Sequence, residues 1–286
     1  MSQRGQERCG KCGKARRVKL AAAARPTAIP VRSIRRTMSK SRGGLRVLVI
    51  PDTQIGPGTP MEHLDWIGRY AAEKQPDVIV HLGDHADMPS LCTYDRGKLM
   101  FEGRRYQADV AAARAGMERL LAPIQKKNGY SPALYLTYGN HEDRIERARQ
   151  ESPVFSDSLS LDDLGYEDMG WTTSPFLEPI DIDGVLFCHY FTSGPMRRPI
   201  GTAKSLLSAT HGSAVAGHSH TFDMAVHPKT QHTAIICGTC YLHDEDYAGP
   251  QGNSYRRQVI MLHELKDGRF DPMFVSLGYL ERRFGK

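Results

Sequence analysis

The stretch Leu45-Arg-Val-Leu-Val-Ile50-Pro51-Asp52-Thr53-Gln54 decides the fold. Its near-continuous apolar run reads as a strand buried on both faces, and Pro51-Asp52 ends it with polar groups at its carboxyl end. The same grammar recurs outward. Met61, Leu64, Ile67 and Ala71 repeat at helical spacing over Pro60–Lys74. Asp77–Leu82 is a second strand, stopped by Gly83-Asp84. A basic, glycine-bearing loop leads to a helix over Arg105–Ala122 with its stripe at Val110, Ala113, Met117, Leu120 and Leu121; Pro123 marks its end. Ala133–Thr137 is a third strand, ending in Gly139-Asn140. This β-α-β-α-β order predicts an α/β sheet with polar residues gathered at the strands' carboxyl ends.

The second half reads differently. After an irregular or helical stretch near Pro153–Gly170, short strands follow at Val185–Tyr190, Ala214–Ala216, Thr233–Ile236, Gln258–His263 and Met273–Val275. A helix over Thr202–Ala209 interrupts them. The pattern predicts two packed sheets covered by helices in one domain.

At 286 residues, 40% hydrophobic and 24% charged, the chain can bury a core. Leu20–Ala24, the longest apolar patch near the start, is too short for a membrane span or a secretory signal. No membrane association is expected, and the cytoplasm is the expected location. The net charge of +6 hides an asymmetry: residues 1–46 carry 14 Lys/Arg against one acidic residue, Glu7. The remaining residues carry 24 Lys/Arg against 31 Asp/Glu. Residues 1–44 are therefore expected to form a basic, disordered tail before a domain over 45–286. Nucleic acid is an open partner for that tail through counterion release. Met38, just before the first strand, is an alternative start.

Cys9 and Cys12 lie in the tail, Cys237 and Cys240 in the far half. Zinc shared between the pairs would require the tail to fold back across the body, so packing at a strand end is the favoured reading of Cys237 and Cys240. Cys92 and Cys188 are isolated, and the spacing shows no disulfide framework.

Five clusters carry chemistry: Asp52-Thr53-Gln54; Gly83-Asp84-His85-Ala86-Asp87; Gly139-Asn140-His141-Glu142; Cys188-His189; and Gly217-His218-Ser219-His220. Each lies at or near a strand end, so all five can converge on one edge of the sheets. Carboxylate, amide oxygen and imidazole are donors for hard-to-borderline cations. Glycines before Asp84, Asn140 and His218 permit sharp turns that aim the next side chain. No Gly-x-Ser-x-Gly elbow and no phosphate-cradling Gly-x-x-x-x-Gly-Lys loop occurs.

In their order these clusters resemble the calcineurin-like metallophosphoesterase superfamily, from about Leu45 to Leu277, and within it the stand-alone phosphoesterases of phages and bacteria. The resemblance implies a four-layer α/β/β/α sandwich of two mixed sheets flanked by helices, with a dimetal site at strand ends. It implies Asp52, Gln54, Asp84 and His220 around one cation, and Asp84, Asn140, His189 and His218 around a second, with Asp84 bridging. Two divalent ions would bind, Mn²⁺ ahead of Mg²⁺, Fe or Zn²⁺. The resemblance further implies attack by a metal-activated hydroxide, with His141 as general acid and Asp87 holding and polarising it.

Two departures matter. Gln54 stands where the family usually has histidine, a neutral and harder donor that favours Mn²⁺ or Mg²⁺. Met88 and Tyr138 stand where the Ser/Thr protein phosphatases carry arginines, which argues against that branch. Phosphate clamps are instead sought at Arg197 and Arg198, and at Arg104 and Arg105. The expected function is a hydrolase of phosphomonoesters or phosphodiesters, in host cytoplasm if phage-encoded. A DNA nuclease of the same superfamily is the alternative, favoured by the basic tail. A catalytically inactive scaffold ranks last because His141 and every ligand position are kept. Nothing in the sequence sets the oligomeric state.

Overall fold

In the computed structural model, which describes residues 32–33, 43–245 and 249–285, alternation along the first long strand sets the layers. Val47 and Val49 join Val78, Val80, Phe187, Val215 and Ile235 in one buried cluster. Leu48 and Ile50, on the other face, join Leu64, Ile67, Met117 and Leu120 in another. A strand buried on both faces needs a partner layer on each.

One six-stranded sheet runs in the order β14 (Arg269–Ser276), β13 (Gln258–Lys266), β2 (Leu45–Ile50), β3 (Val78–His81), β4 (Ala133–Thr137) and β5 (Thr172–Ser174). Strands β2 to β5 are parallel, and β13 is antiparallel to both its neighbours. The second sheet runs β1 (Arg32–Ser33), β6 (Ile180–Ile182), β7 (Val185–Cys188), β10 (Ser213–Ala216), β12 (Thr233–Cys237) and β11 (Phe222–Val226). Its centre, β7–β10–β12, is parallel, with Val215 paired to Phe187 and to Ile235. A separate hairpin pairs β8 (Thr192–Ser193) with β9 (Arg198–Pro199).

Helices α1 (Glu62–Lys74) and α2 (Tyr106–Gln125) cover the first sheet, joined by α6 (Leu277–Phe284) through Leu277 and Leu280. Helix α4 (Ala203–Thr210) covers the second, where Leu206 packs with Ala214, Ala216, Ala234 and Ile236. Two short helices, α3 (Asp143–Glu151) and α5 (Gly249–Gly252), complete the set among the described residues. The layers are α/β/β/α, as the resemblance implies. No described helix is long and apolar enough to cross a membrane.

The structure differs from the sequence expectation in three respects. Helix α2 runs through Pro123 to Gln125. Its close packing on α1 holds the turn: a Cβ on Gly68 would collide with the carbonyl oxygen of Leu120 and lie 3.0 Å from the Pro123 ring. Strands β5, β6, β8, β9 and β11 and helices α3, α5 and α6 escape the sequence reading, because each is short or buries little; α3 buries only Ile145, and α6 only Leu277 and Leu280. Arg32–Ser33, inside the stretch read as tail, pairs in parallel with Ile180–Asp181 at the sheet edge, and two residues are too few to show a strand pattern. The rest of the tail reading, with Cys9, Cys12 and Met38, lies outside the described residues.

Candidate active site

Backbone hydrogen bonds tie four of the five polar loops in pairs before any side chain is considered. The N–H groups of Thr53 and Gln54 donate to the Asp84 carbonyl, and that of Ile55 to His85. Gly217 N–H donates to His189 O at 2.9 Å, and Cys240 N–H to Asp52 O at 2.8 Å. Loops from both sheets therefore meet at one edge, at the carboxyl ends of β2, β3, β4, β7 and β10.

Two buried carboxylates stand at the centre. His189 Nε2 lies 3.2 Å from Asp84 Oδ2 and 2.9 Å from Asn140 Oδ1. Gln54 Nε2 donates to Asp84 Oδ2 at 3.3 Å. Potential ligand atoms of Asp84, His189 and His218 all lie within 4.8 Å of one another. On the other side, His220 Nε2 is 3.3 Å from Asp52 Oδ2, and the His218 N–H donates to Asp52 Oδ1 at 3.0 Å. The Tyr241 hydroxyl, 3.2 Å from His220 Nδ1, steadies that ring. Burial disfavours charge at Asp84, yet His141 and His189 hold its carboxyl well below the usual range. Asp52 is likewise lowered, against burial, by its bond to His220 and by His189. Burial opposes the imidazolium at His189, but Asp84 beside it pushes the pKa up to about 9. His218, partly buried beside His189, drops to about 4, chiefly through loss of solvent.

These donors fit a divalent cation. Gln54 Oε1 is buried without a hydrogen-bond partner, next to a buried carboxylate. His189 Nε2 faces two acceptors, an arrangement that a proton or a metal must complete.

The backbone is bent to make this cluster. Gln54, Asp84, His218 and His220 all have left-handed φ values, 48°, 48°, 66° and 59°, a conformation that costs side-chain-bearing residues of order 1 kcal/mol or more each. Two of the three glycines serve differently from the expectation. Gly139 and Gly217 leave room for carboxylates: a Cβ on Gly139 would collide with Asp84, and one on Gly217 with Asp52. Among the three, only Gly83 has a positive φ, 87°.

Beside the carboxylates, His141 Nδ1 lies 2.7 Å from Asp87 Oδ1, and its Nε2 lies 3.7 Å from Asp84 Oδ2. Burial opposes its charge, but Asp84 and Asp87 together raise its pKa above the usual imidazole value. Two residues without an assigned role in the sequence join this group. Glu142 is buried and accepts four backbone N–H groups, from Asp84, His85, Ala86 and Gly139, at 2.7 to 2.9 Å. Burial and the Asp84 charge push its carboxyl up to about 7. Arg144, one helical turn after His141, reaches His141 Nε2 at 3.1 Å. Its i+3 spacing from His141 was the available signal.

The sequence-selected arginines lie elsewhere. Arg104 is tied to Asp95 at 2.8 Å and to the Pro89 carbonyl, and Arg105 donates to Arg104 O. Arg197 and Arg198 are exposed on the β8–β9 hairpin. None of the four has a contact with a predicted ligand among the described residues. His85 is buried between Thr53 Oγ1 and the Ala113 carbonyl and turns away from the carboxylates. Cys188 packs into the cluster under α4, and burial pushes its thiol up to about 12. Cys237 and Cys240 are buried, free and strongly raised by the same cause.

A model of the calcineurin-like phosphoesterase family matches residues 45–222. "Gene 54 protein" of Mycobacterium phage D29 is 26% identical over 182 residues, covering 61% of this chain and 69% of the phage protein. Its counterpart in Mycobacterium phage L5 matches with the same identity and coverage. Among solved structures, a zinc complex of Vps29 from Entamoeba histolytica covers 82% of this chain and 99% of its own, at 11% identity and a TM-score of 0.38. YfcE, a phosphoesterase from E. coli, covers 81% and 100%, at 12% identity and a TM-score of 0.36.

Proposed function

The chain belongs to the calcineurin-like phosphoesterase family, metal-dependent hydrolases of phosphoester bonds, and from that premise we propose how its own residues do the work. The substrate is a phosphomonoester or phosphodiester, and two divalent cations, Mn²⁺ first, bind at the paired carboxylates. The observation that carries this reading is the pair of buried aspartates, Asp52 and Asp84, each met by an imidazole Nε2 at 3.2–3.3 Å. Asp52, Gln54, Asp84 and His220 hold one ion, and Asp84, Asn140, His189 and His218 the other. When bound, such cations offset phosphoryl charge and acidify a water for attack on phosphorus.

The remaining roles belong to side chains. Asp87 accepts from Nδ1 of His141 and fixes the ring so that Nε2 faces the site; Nε2 has a proton to give in the imidazolium, the form that Asp84 and Asp87 favour against burial. His141 donates that proton to the departing oxygen, which leaves as an alcohol. The basic residues of 1–46 favour nucleic acid as one substrate class, the nuclease alternative. A location in the cytoplasm, that of the host if the chain is phage-encoded, accords with the reading.

The test is turnover of bis-p-nitrophenyl phosphate, p-nitrophenyl phosphate and single-stranded DNA, side by side with Mn²⁺. Hydrolysis of at least one small ester, abolished by chelation, is expected. DNA cleavage without turnover of either small ester would establish the nuclease reading instead. Absence of all three activities would put the inactive scaffold first.

A further inference from the structure

Arg144 is a cation that the phosphoesterase reading has not used, and its surroundings point to a use. Its guanidinium is set in a fixed pose by the loop that carries Asp87. Nη1 donates to the Asp87 carbonyl at 2.6 Å and to the Met88 carbonyl at 3.3 Å. Nη2 lies 3.1 Å from His141 Nε2. The side chain is 13% exposed, close to the 16% of His141, whereas Asp84, Asp52 and His189 behind them are sealed. Arg144 and His141 therefore share the accessible rim of the cluster.

Charge pairing separates Arg144 from its neighbours on α3. Arg147 has Asp143 at 3.3 Å, and Arg149 has Glu146 at 2.7 Å. Among the described residues, the carboxylate that Arg144 approaches is Asp87, at 3.6 Å, and Asp87 already accepts from His141 at 2.7 Å. Both bonds from its Nη1 go to neutral carbonyls. A half-buried guanidinium held by carbonyls keeps its positive charge for another anion. Its planar fork suits two oxygens of a phosphoryl group. The Nη2 contact supports the same assignment. A guanidinium only donates, so Nη2 gives its N–H to His141 Nε2 at 3.1 Å, and that donor is the one an incoming phosphoryl oxygen would take over.

We propose that Arg144 binds a non-bridging phosphoryl oxygen of the substrate, taking the place of the clamps sought at Arg104, Arg105, Arg197 and Arg198. The inference rests on the phosphoesterase reading and names the residue that recognises the phosphoryl group. Arg144 contributes to binding of the phosphoryl anion whatever the leaving group, whereas His141 acts on the departing oxygen.

The test uses the full chain with Mn²⁺. Arg144→Met should raise the inhibition constant of inorganic phosphate and KM for p-nitrophenyl phosphate by about 10–100-fold, as expected for one lost charge-assisted contact of about 1.5–3 kcal/mol. Arg144→Lys should recover part of the loss, because it keeps the charge without the fork. His141→Asn should leave the phosphate constant within about threefold while lowering kcat. Thermal unfolding of each variant separates binding from folding. A phosphate constant unchanged within twofold in Arg144→Met, with a lowered Tm, would make Arg144 a strut of the Asp87–Met88 loop and overturn the proposal. Should that variant not fold, Arg144→Lys decides, and an unchanged constant there overturns it equally. Wild-type protein that hydrolyses no ester would overturn the phosphoesterase reading and this inference with it; an active wild type with an indifferent Arg144→Met overturns this inference alone.

Discussion

Nδ1 of His189 lies 2.8 Å from the carbonyl oxygen of Leu82, across 107 residues of sequence and between the two sheets. Leu82 follows β3 in one sheet, and His189 follows β7 in the other. The bond assigns the Nδ1 proton and turns Nε2 toward Asp84 and Asn140. It is the kind of partner that fixes the tautomer of a metal-binding histidine. The closure of the sandwich and the aim of one proposed ligand are thus the same contact.

Divalent cations should stabilise the folded chain through that cluster. With cation at 100 times its dissociation constant, linkage predicts about 2.7 kcal/mol of added stability and a higher Tm. Chelation should reverse the shift. His189→Ala should remove most of it, because Asp84 and His218 lose their shared partner. An undiminished shift in His189→Ala would place the cation elsewhere in the protein.

Replacing His141 should spare cation binding and damage chemistry. His141→Ala or His141→Asn is expected to keep the cation-dependent Tm shift while turnover of an ester with a poor leaving group falls by about 10²–10⁴. Nitrophenyl esters, whose leaving groups need less protonation, should lose less. Asp87→Asn should show a milder form of the same pattern, since it removes the charge 2.7 Å from Nδ1. A lost Tm shift in His141→Ala would make His141 a ligand. Equal slowing of all esters would make it a phosphoryl contact and not the acid.

The sequence reveals what depends on runs and strand ends. Asp52, Asp84, Asn140, His189 and His218 each sit just past an apolar strand, so their convergence follows once the strands are placed in parallel. Arg144 and Glu142 are harder to read. Their roles depend on the geometry of α3, a helix with one buried residue and therefore no stripe. At the clamps sought at Arg104 and Arg105, Asp95, nine residues before Arg104, holds Arg104 in a local ion pair invisible to composition, and Arg105 donates to the Arg104 carbonyl. Left-handed φ at Asp84 and His218 is equally illegible: the neighbouring glycines suggest the turn, but the ligand residues themselves take the strain.

Acid should weaken the fold through His63 on α1. Burial and the nearby His85 and His243 lower its pKa from 6.5 to about 3. Above pH 6.5 both folded and unfolded forms are neutral, and the group has no effect on the pH dependence. Between pH 6.5 and 3 the unfolded chain takes up a proton that the folded chain refuses, so stability falls as pH falls. His63→Phe should reduce the stability lost between pH 6.5 and pH 5 by about 1–2 kcal/mol. Urea unfolding at the two pH values measures this, and identical losses in variant and wild type would refute it.

Glu142 should prove to be the post on which two ligand loops hang. Oε2 accepts the N–H groups of Asp84 and Gly139, and Oε1 those of His85 and Ala86. Those four donors have no strand partner, and the carboxylate is sealed from water. Glu142→Gln keeps the shape but turns one oxygen into an NH₂ group that faces two N–H groups. Two bonds are lost and two buried donors are left unpaired, at about 1–3 kcal/mol each. We therefore expect about 2–5 kcal/mol of lost stability. Because the same loops carry Asp84 and Asn140, cation affinity should also fall about 10–100-fold, the usual cost of losing a group that orients ligands. Glu142→Asp, still an acceptor but one methylene short, should fall between the two. Calorimetric unfolding with and without Mn²⁺ separates the effects. Wild-type stability together with wild-type cation affinity in Glu142→Gln would show that the loops hold their shape without this carboxylate.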